Sequence, residues 1–521
     1  MPPKWSFGVW MSRCMYKSRT EVETIAKKLR ILNIPCDVIH IDPLWLKGRE
    51  KSGIDSCHDL VFDTKKFPEP EKMVTNLKKM GFKLSLWENP YVLKGTKIYE
   101  EGVKKHYFPI SLTDKNKPAQ IEPPNKPKIF TTLIDFTNPD AVKWYQEKHR
   151  KLLNIGVAVF KTDYGEWCPI NARFYNGMIG KDMHNLYPVL YNKTVFDIIK
   201  KVCGKGIVWA RSAYAGSQMY PVHWSGDTLA KYEVMAQVLR SGLSIGLSGI
   251  PFWSHDIGGF IGKPSQELYI RWTQFGMFCS HSRFHGTTPR EPWEYGKKSI
   301  DICKKYILLR YRLIPYIYSY AYIANKTGIP IVRAMVLEFQ DDHNTYDKDL
   351  QYMFGRELLV APIFNETNIR NIYLPAGKWL DYWDKKEYTG PINIRYYAPL
   401  DRLPLFIREN SIIPYCPQMN YIGEKPFNKY VLDCYILSKA EFVLYDDNEI
   451  IKFSGIKNRD VLVFSISKSN KEYEMNFYKI TVKRAIIETK TIKKFDYKTT
   501  DTGTKIKFIA DGNVIFKLYL K

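Results

Sequence analysis

Short apolar runs separated by amphipathic stretches, followed by a β-rich tail, predict a (β/α)8 barrel with two small C-terminal β-sandwich-like domains. Three observations support this. A chain of 521 residues exceeds what one hydrophobic core usually supports. Its candidate strands in the first two thirds are continuous apolar runs rather than alternations, as expected of parallel strands buried on both faces. After about Leu337 the texture changes to short β-rich segments, and from about Tyr421 to period-2 stretches.

The first run, Phe7 to Met11, is followed by a helical pattern from Thr20 to Leu32, with Thr20 placed to cap it. The next strand is Cys36 to Asp42. A helix from Pro70 to Met80 leads through Gly81 into the strand Phe82 to Trp87. Asn138 and Pro139 suit the cap and first helical position of a helix reaching about Asn154. It feeds the strand Gly156 to Lys161. Further strands are read at Gly206 to Arg211, Val222 to Ser225, Ile245 to Phe252 and Ile329 to Met335, which makes eight and closes a barrel. The predicted domains are a barrel over 1–337, a proximal β domain over 338–420 and a distal one over 421–521. The distal domain carries alternating stretches such as Val461 to Ile466 and Val514 to Leu518.

Composition excludes several functions. The formal charge is +24, but the lysines dot the whole chain with no arginine-rich arm, zinc-finger spacing or RNA-binding signature, so no nucleic-acid partner is expected. The nine cysteines (Cys14, Cys36, Cys57, Cys168, Cys203, Cys279, Cys303, Cys416 and Cys434) include no CxxC pair, so neither a disulfide framework nor a zinc site is expected. Reduced thiols in a cytoplasmic protein are the simplest reading. Met1 to Trp5 lacks a signal architecture and no run of about 18 apolar residues exists, so no membrane association is expected. Thirteen Trp and 36 Tyr fill cores first and offer stacking platforms for sugar rings second.

In such a barrel, chemistry gathers where strands end at the C-terminal face. The strand-end residues are Asp42, Trp45, Trp87, Lys161, Asp163, Glu166, Arg211, His223, Trp224, Asp227, Trp253, His255 and Asp256. Carboxylates, cations, imidazoles and tryptophans on one rim suit an oligosaccharide: aromatic faces meet ring C–H surfaces, and charged groups bond hydroxyls. Glycoside cleavage needs one carboxylate as nucleophile or base and one protonated carboxyl as acid. Asp163 is the nucleophile candidate, because Lys161 shares its strand face two residues away and favours its ionised form. Asp227, in the Gly-containing loop His223-Trp224-Ser225-Gly226-Asp227, is the acid candidate, with partial desolvation raising its pKa. His281, Arg283 and His285 offer no third ligand at metal spacing, so no metal and no cofactor are expected.

Lys161-Thr162-Asp163-Tyr164-Gly165-Glu166 resembles the nucleophile motif of glycoside hydrolase family 31, in its α-xylosidase-like branch. Ala210-Arg211-Ser212 with Pro221 to Asp227 is similar to the family's acid/base segment. Ser244 to Gly249 with Phe252 to Phe260 is similar to its next strand and loop, and Ser280 to Gly286 to a signature beyond it. The likeness runs from about Trp5 to Pro414. It implies Asp163 as nucleophile, Asp227 as proton donor and Glu166 as an accessory acid. It implies Asp42, Trp87, Lys161, Arg211 and His255 lining the −1 sugar subsite; Trp224 and Trp253, read from the strand ends, are further substrate-binding candidates. It further implies a covalent glycosyl–enzyme intermediate, with the two carboxyls roughly 5–6 Å apart.

The resemblance also implies a β-sandwich ahead of the barrel. The first strand begins almost at Met1, so the expectation is a chain lacking that domain: a fragment, or a subunit whose partner supplies it, with a homo-oligomer as another arrangement. After Asp42 stand Pro43 and Leu44, where similar α-xylosidases often carry Cys-Phe. Apolar Leu44 offers no partner for a 6-hydroxyl and favours xylose, by the soft margin of about 1–3 kcal/mol that a hydrophobic pocket allows. The reading is a retaining exo-α-glycosidase, an α-xylosidase first, with an α-glucosidase or an inactive carbohydrate-binding subunit as alternatives.

Overall fold

The computed structural model describes residues 1–47, 59–121, 131–447 and 449–521; Cys57 lies outside them. No disulfide joins the described cysteines. No described helix is long and apolar enough to cross a membrane.

The chain divides into two compact units. The first comprises Met1–Ala230, Phe252–Lys263 and His281–Glu294. It contains a closed ring of parallel staves. Val9–Met11 pairs with Val38–Ile41, which pairs with Lys83–Glu88, which pairs with Val157–Thr162. Bridges Phe160 to Val208 and Ala210 to His223 insert the segment 207–210. His223–Trp224 then pairs with Trp253–Ser254, which continues into Asp256–Ile257; the latter pairs with Ser282–Phe284, and that stave returns to Val9–Met11. Closure leaves no unpaired sheet edge. Apolar residues such as Val38, Ile39, Val159 and Phe160 are fully buried. The ring is filled by large side chains, with the Trp10 and Trp209 rings 4.3 Å apart.

Local signals explain the helices of this unit. Ser18, not Thr20, caps the helix Arg19–Ile31, its hydroxyl accepting from Glu21 N; the cap sits two residues earlier than the sequence pattern indicates. Asn138 caps Pro139–Asn154 through bonds from Asp140 N and Ala141 N.

Two predicted strands are corrected. Ile245 to Phe252 does not form a strand: the helix Tyr232–Leu247 runs through its start, burying Met235, Val238, Leu239, Gly242, Leu243 and Gly246 at helical spacing. The stave itself starts at Trp253. Ile329 to Met335 is not a barrel strand either. Val332–Ala334 pairs antiparallel with Tyr352–Phe354 in the second unit, and Ser282–Phe284 closes the ring instead. Ser-Arg-Phe carries a charge and spans three residues, so it does not read as a buried run; pairing Arg283 with Asp256 is what permits it.

The second unit comprises Lys231–Pro251, Pro264–Ser280 and Tyr295–Lys521. It holds a six-stranded sheet ordered Val332–Ala334, Tyr352–Phe354, Leu358–Val360, Leu405–Arg408, Ile369–Asp381 and Glu387–Tyr397. Its core includes Leu359, Ile372, Trp379 and Phe406. The buried Arg310 guanidinium donates to the Met277, Cys279 and Ser280 carbonyls, at 2.8, 2.7 and 2.8 Å, closing the end of the helix Gln266–Met277. Beyond it, two five-stranded sheets face each other. Val461–Ser469 alternates as predicted, with Leu462, Phe464 and Ile466 inward. Contacts such as Phe464 with Phe477 (5.6 Å) and Phe508 with Phe516 (5.9 Å) join the two sheets.

Candidate active site

The stave Val157–Thr162 ends in Asp163, and the chain turns immediately: Tyr164 (φ 60°) and Gly165 (φ 98°) are both left-handed. The buried Tyr91 holds that turn. Its hydroxyl oxygen accepts from Gly165 N at 3.0 Å and Trp167 N at 2.9 Å. The backbone of Asp163 donates to Glu88 O at 3.0 Å. The strand therefore presents Asp163 in one orientation, 5% exposed.

Both oxygens of Asp163 are occupied by donors. Oδ2 accepts from Trp87 Nε1 at 2.8 Å and lies 3.2 Å from Lys161 Nζ. Oδ1 accepts from Tyr164 N at 2.8 Å and lies 3.1 Å from Arg211 Nη1. Burial alone would raise its pKa, but Lys161, Arg211 and the indole N–H outweigh it and hold the carboxyl below its ordinary value. Trp87 is itself fixed, because Trp45 Nε1 donates to its carbonyl at 2.9 Å.

Lys161 Nζ also lies 3.2 Å from Asp42 Oδ1, so one buried ammonium is shared by two carboxylates. His40 Nε2 donates to the same Asp42 oxygen at 3.0 Å, and Ser85 Oγ lies 2.8 Å from His40 Nδ1. Burial lowers His40 to about 4, so it is a neutral donor. Burial opposes ionisation of Asp42, yet Lys161, His285 and His40 bring it well below the carboxylate range. Next to this group, Arg283 pairs with Asp256 at 2.5 Å. The Trp224 ring lies 5.0 Å from both Lys161 Nζ and the Arg283 guanidinium.

Arg211 connects the remaining carboxylates. It pairs with Glu166, whose other oxygen accepts from Ser212 Oγ at 2.8 Å, and it covers the Tyr164 ring at 4.0 Å. Its Nη1 stands 3.1 Å from Asp163 Oδ1 and 3.9 Å from Asp227 Oδ2. Those two distances limit the separation of the oxygens to their sum, about 7 Å. Asp227 is half-exposed, its side chain 42% accessible. Its pKa is raised to about 6, first because protein replaces much of its water and then because Asp163 carries a like charge; Lys161 and Arg211 act against this.

Asp42, Trp87, Lys161, Asp163, Glu166, Arg211 and Asp227 thus form one connected polar network. Trp224 packs on it. Trp253 and His255 lie buried on the adjacent stave with rings 6.3 Å apart; burial, then Arg283, lowers His255 to about 3. His223 turns away and bonds Ser217 O at 3.1 Å. Asp256 pairs with Arg283. His40, Tyr91 and Arg283 join the site without having been singled out for it. For His40 a signal existed: His40 and Asp42 sit two apart on a strand end, as Lys161 and Asp163 do. His281 bonds Ser6 Oγ (3.1 Å) and His285 bonds Ser12 Oγ (2.8 Å), so the two imidazoles serve separate places. A separate cavity of about 540 Å³, lined by Phe108, Asp135, Phe174 and Tyr175 among others, contains none of these residues.

Comparison with known proteins identifies the family. Residues 1–320 match the glycosyl hydrolases family 31 TIM-barrel domain, and residues 328–413 the family 31 C-terminal domain. An α-xylosidase of Emericella nidulans is 38% identical over 442 residues, covering 81% of this chain and 54% of that protein. An α-xylosidase of Lactiplantibacillus pentosus is 38% identical over 430 residues, covering 79% and 54%. The chain thus spans about half the length of these curated relatives. The solved structure of a Flavobacterium johnsoniae family 31 dextranase complexed with glucose superimposes with a TM-score of 0.92 at 27% identity, over 100% of this chain and 71% of that one. The chain belongs to glycoside hydrolase family 31.

Proposed function

We propose that this chain carries the catalytic machinery of a retaining exo-α-glycosidase acting on α-xylosides. One observation carries the reading: two carboxylates that share Arg211 have pKa values displaced in opposite directions, Asp163 downward and Asp227 up to about 6. Asp163 attacks the anomeric carbon while Asp227 gives its proton to the departing glycosidic oxygen. A glycosyl ester on Asp163 results. Asp227, now a carboxylate, takes a proton from water as that water attacks the same carbon, and Asp163 leaves as a carboxylate. Both protons are accounted for and the anomeric configuration is retained. The upper limit of about 7 Å between the two oxygens accommodates the roughly 5 Å spacing of retaining enzymes and lies below most of the inverting range.

Hydroxyl recognition falls to the shared Asp42–Lys161 pair and to buried polar atoms with no hydrogen-bond partner among the described residues: Trp224 Nε1, Arg283 Nη1 and Asp256 Oδ2. Orphaned buried groups cost about 1–3 kcal/mol each, which a sugar hydroxyl or water recovers. Glu166 acts as an accessory acid by fixing Arg211.

The xyloside preference is supported by the apolar Leu44 after Asp42 and by the two α-xylosidase relatives. The glucose complex of the dextranase favours a second reading, an α-glucosidase. Hydrolysis of p-nitrophenyl α-xyloside against α-glucoside separates them; higher kcat/KM on the glucoside overturns the first. Near-normal turnover by Asp163→Ala overturns the nucleophile assignment in either case.

A further inference from the structure

Asp163 and Asp227 are held by different means. Asp163 has a donor on every side, whereas the Asp227 carboxylate accepts no hydrogen bond from the described residues, and its one ion-pair partner among them, Arg211, stands 3.9 Å away. A half-exposed side chain with so little to hold it depends on its backbone for placement. That backbone is tied at one edge. Thr228 O accepts from Phe260 N at 2.7 Å and Ile261 N at 2.9 Å, and Ala230 N donates to Ile261 O at 2.9 Å. The approach is so close that a Cβ on Gly259 would lie 2.6 Å from Ala230 Cα.

The segment 258–262 that makes these bonds is a loop in which Gly258, Gly259 and Gly262 have φ of 91°, 76° and 89°. Three glycines in five residues give it little stiffness of its own. Its shape comes from Arg290, which is fully buried. Nη2 donates to Gly259 O at 2.6 Å and to Gly262 O at 2.7 Å, and Nε to Gly259 O at 3.1 Å. Nη1 donates to Thr288 O at 3.0 Å and to the Thr288 hydroxyl. Thr287 adds a second tie, its N donating to Phe260 O at 2.7 Å and its hydroxyl accepting from Gly262 N at 3.2 Å. Space for the guanidinium exists because residue 286 is glycine; a Cβ there would lie 2.5 Å from Arg290 Cζ.

We infer that Arg290 is a positioning residue for Asp227: it knots the loop 258–262, and that loop sets where the carboxyl meets the leaving oxygen. The inference rests on the reading of Asp227 as proton donor. Its chemical consequence is selective. An alcohol leaving group needs the donated proton as the C–O bond breaks, whereas fluoride departs as a stable anion without one. Lysine cannot reproduce a guanidinium that bridges three carbonyls at once.

The test compares methyl α-xyloside with α-xylosyl fluoride, or the corresponding glucosides if those are preferred. It uses the full chain, Arg290→Lys and, as a milder surface variant, Thr287→Val. Hydrogen–deuterium exchange over residues 226–231 is measured on the same samples. Positioned acids contribute factors of about 10²–10⁴, so Arg290→Lys is expected to lose at least about tenfold more kcat/KM on the methyl glycoside than on the fluoride. Thr287→Val should show a smaller loss of the same kind, and exchange over 226–231 should rise in both variants. Equal losses on the two substrates, or unchanged exchange over 226–231, overturn the inference; if Arg290→Lys does not fold, Thr287→Val decides. Asp227→Ala is the control. If it too loses equally on both substrates, the donor assignment itself fails, while the exchange measurement still judges the clamp.

Discussion

Lys161 is the residue on which the site's charge balance turns, because among the described residues it alone faces both Asp42 and Asp163 at 3.2 Å. Lys161→Met leaves two buried carboxylates with less compensation, so the Asp163 pKa rises and the acid limb of kcat/KM moves to higher pH. A pH–rate profile with its acid limb unmoved refutes this. With Asp227 as the proposed proton donor, the basic limb is expected near 6, with activity falling as pH rises through it. Stability follows the same sign. Between its ordinary 3.8 and about 6, folded Asp227 keeps a proton that the unfolded chain has released, so rising pH removes stability through that window. Asp227→Asn is therefore expected to melt higher than the parent at pH 7 and equally at pH 3.5, although it removes the proposed proton donor; thermal scans at the two pH values check this. Asp163 and Lys161 were legible in the sequence because a period of two sets them on one strand face. Tyr91 was not, since a tyrosine oxygen that accepts two main-chain N–H groups leaves no mark in a pattern. Tyr91→Phe keeps the ring, orphans both donors at about 1–3 kcal/mol each, and is expected to lower both the denaturation midpoint and kcat.

At the scale of elements, apolar strands were readable, as were the short staves at 207–210 and His223–Trp224, whereas those supplied by 253–257 and Ser282–Phe284 were not. Val38–Ile41 and Val157–Thr162 are apolar enough to declare themselves. Trp253–Ser254, Asp256–Ile257 and Ser282–Phe284 are two or three residues long and each carries a polar or charged residue, because they supply side chains to the site. The chemistry that makes a stave functional erases its signature as a stave. Helix starts depend on single side chains. Ser18 Oγ accepts from Glu21 N at 3.2 Å, while Glu21 Oε2 reaches back to Lys17 N at 2.6 Å. Ser18→Ala removes the first of these bonds and is expected to cost about 1 kcal/mol, read as a shift in denaturant midpoint. Thr20→Ala, at the position the pattern favoured, should cost less.

For the whole molecule, the division into two compact units makes a separable prediction. Every stave and every ion pair of the candidate site belongs to the first unit. The second unit has its own organisation, most visibly in the aromatic seam of its sandwich. There the fully buried Phe516 meets Phe464 at 5.6 Å, Phe495 at 5.8 Å, Phe508 at 5.9 Å and Phe477 at 6.4 Å. Truncating such a ring removes its transfer free energy and leaves a cavity that neighbours on both sheets cannot collapse into, a loss of about 3–5 kcal/mol. Phe516→Ala is therefore expected to lower the stability of the sandwich by that amount. The pH limbs assigned to Asp163 and Asp227 should stay in place, because the groups that chiefly shift their pKa values, Lys161, Arg211, Trp87, Asp42 and Asp256, lie in the first unit. Urea melts monitored at the barrel tryptophans and at the tyrosine-rich sandwich, with kcat/KM profiles on the same samples, decide the matter. A basic limb displaced from about 6 by Phe516→Ala means that the electrostatics of the site are not set within the first unit alone.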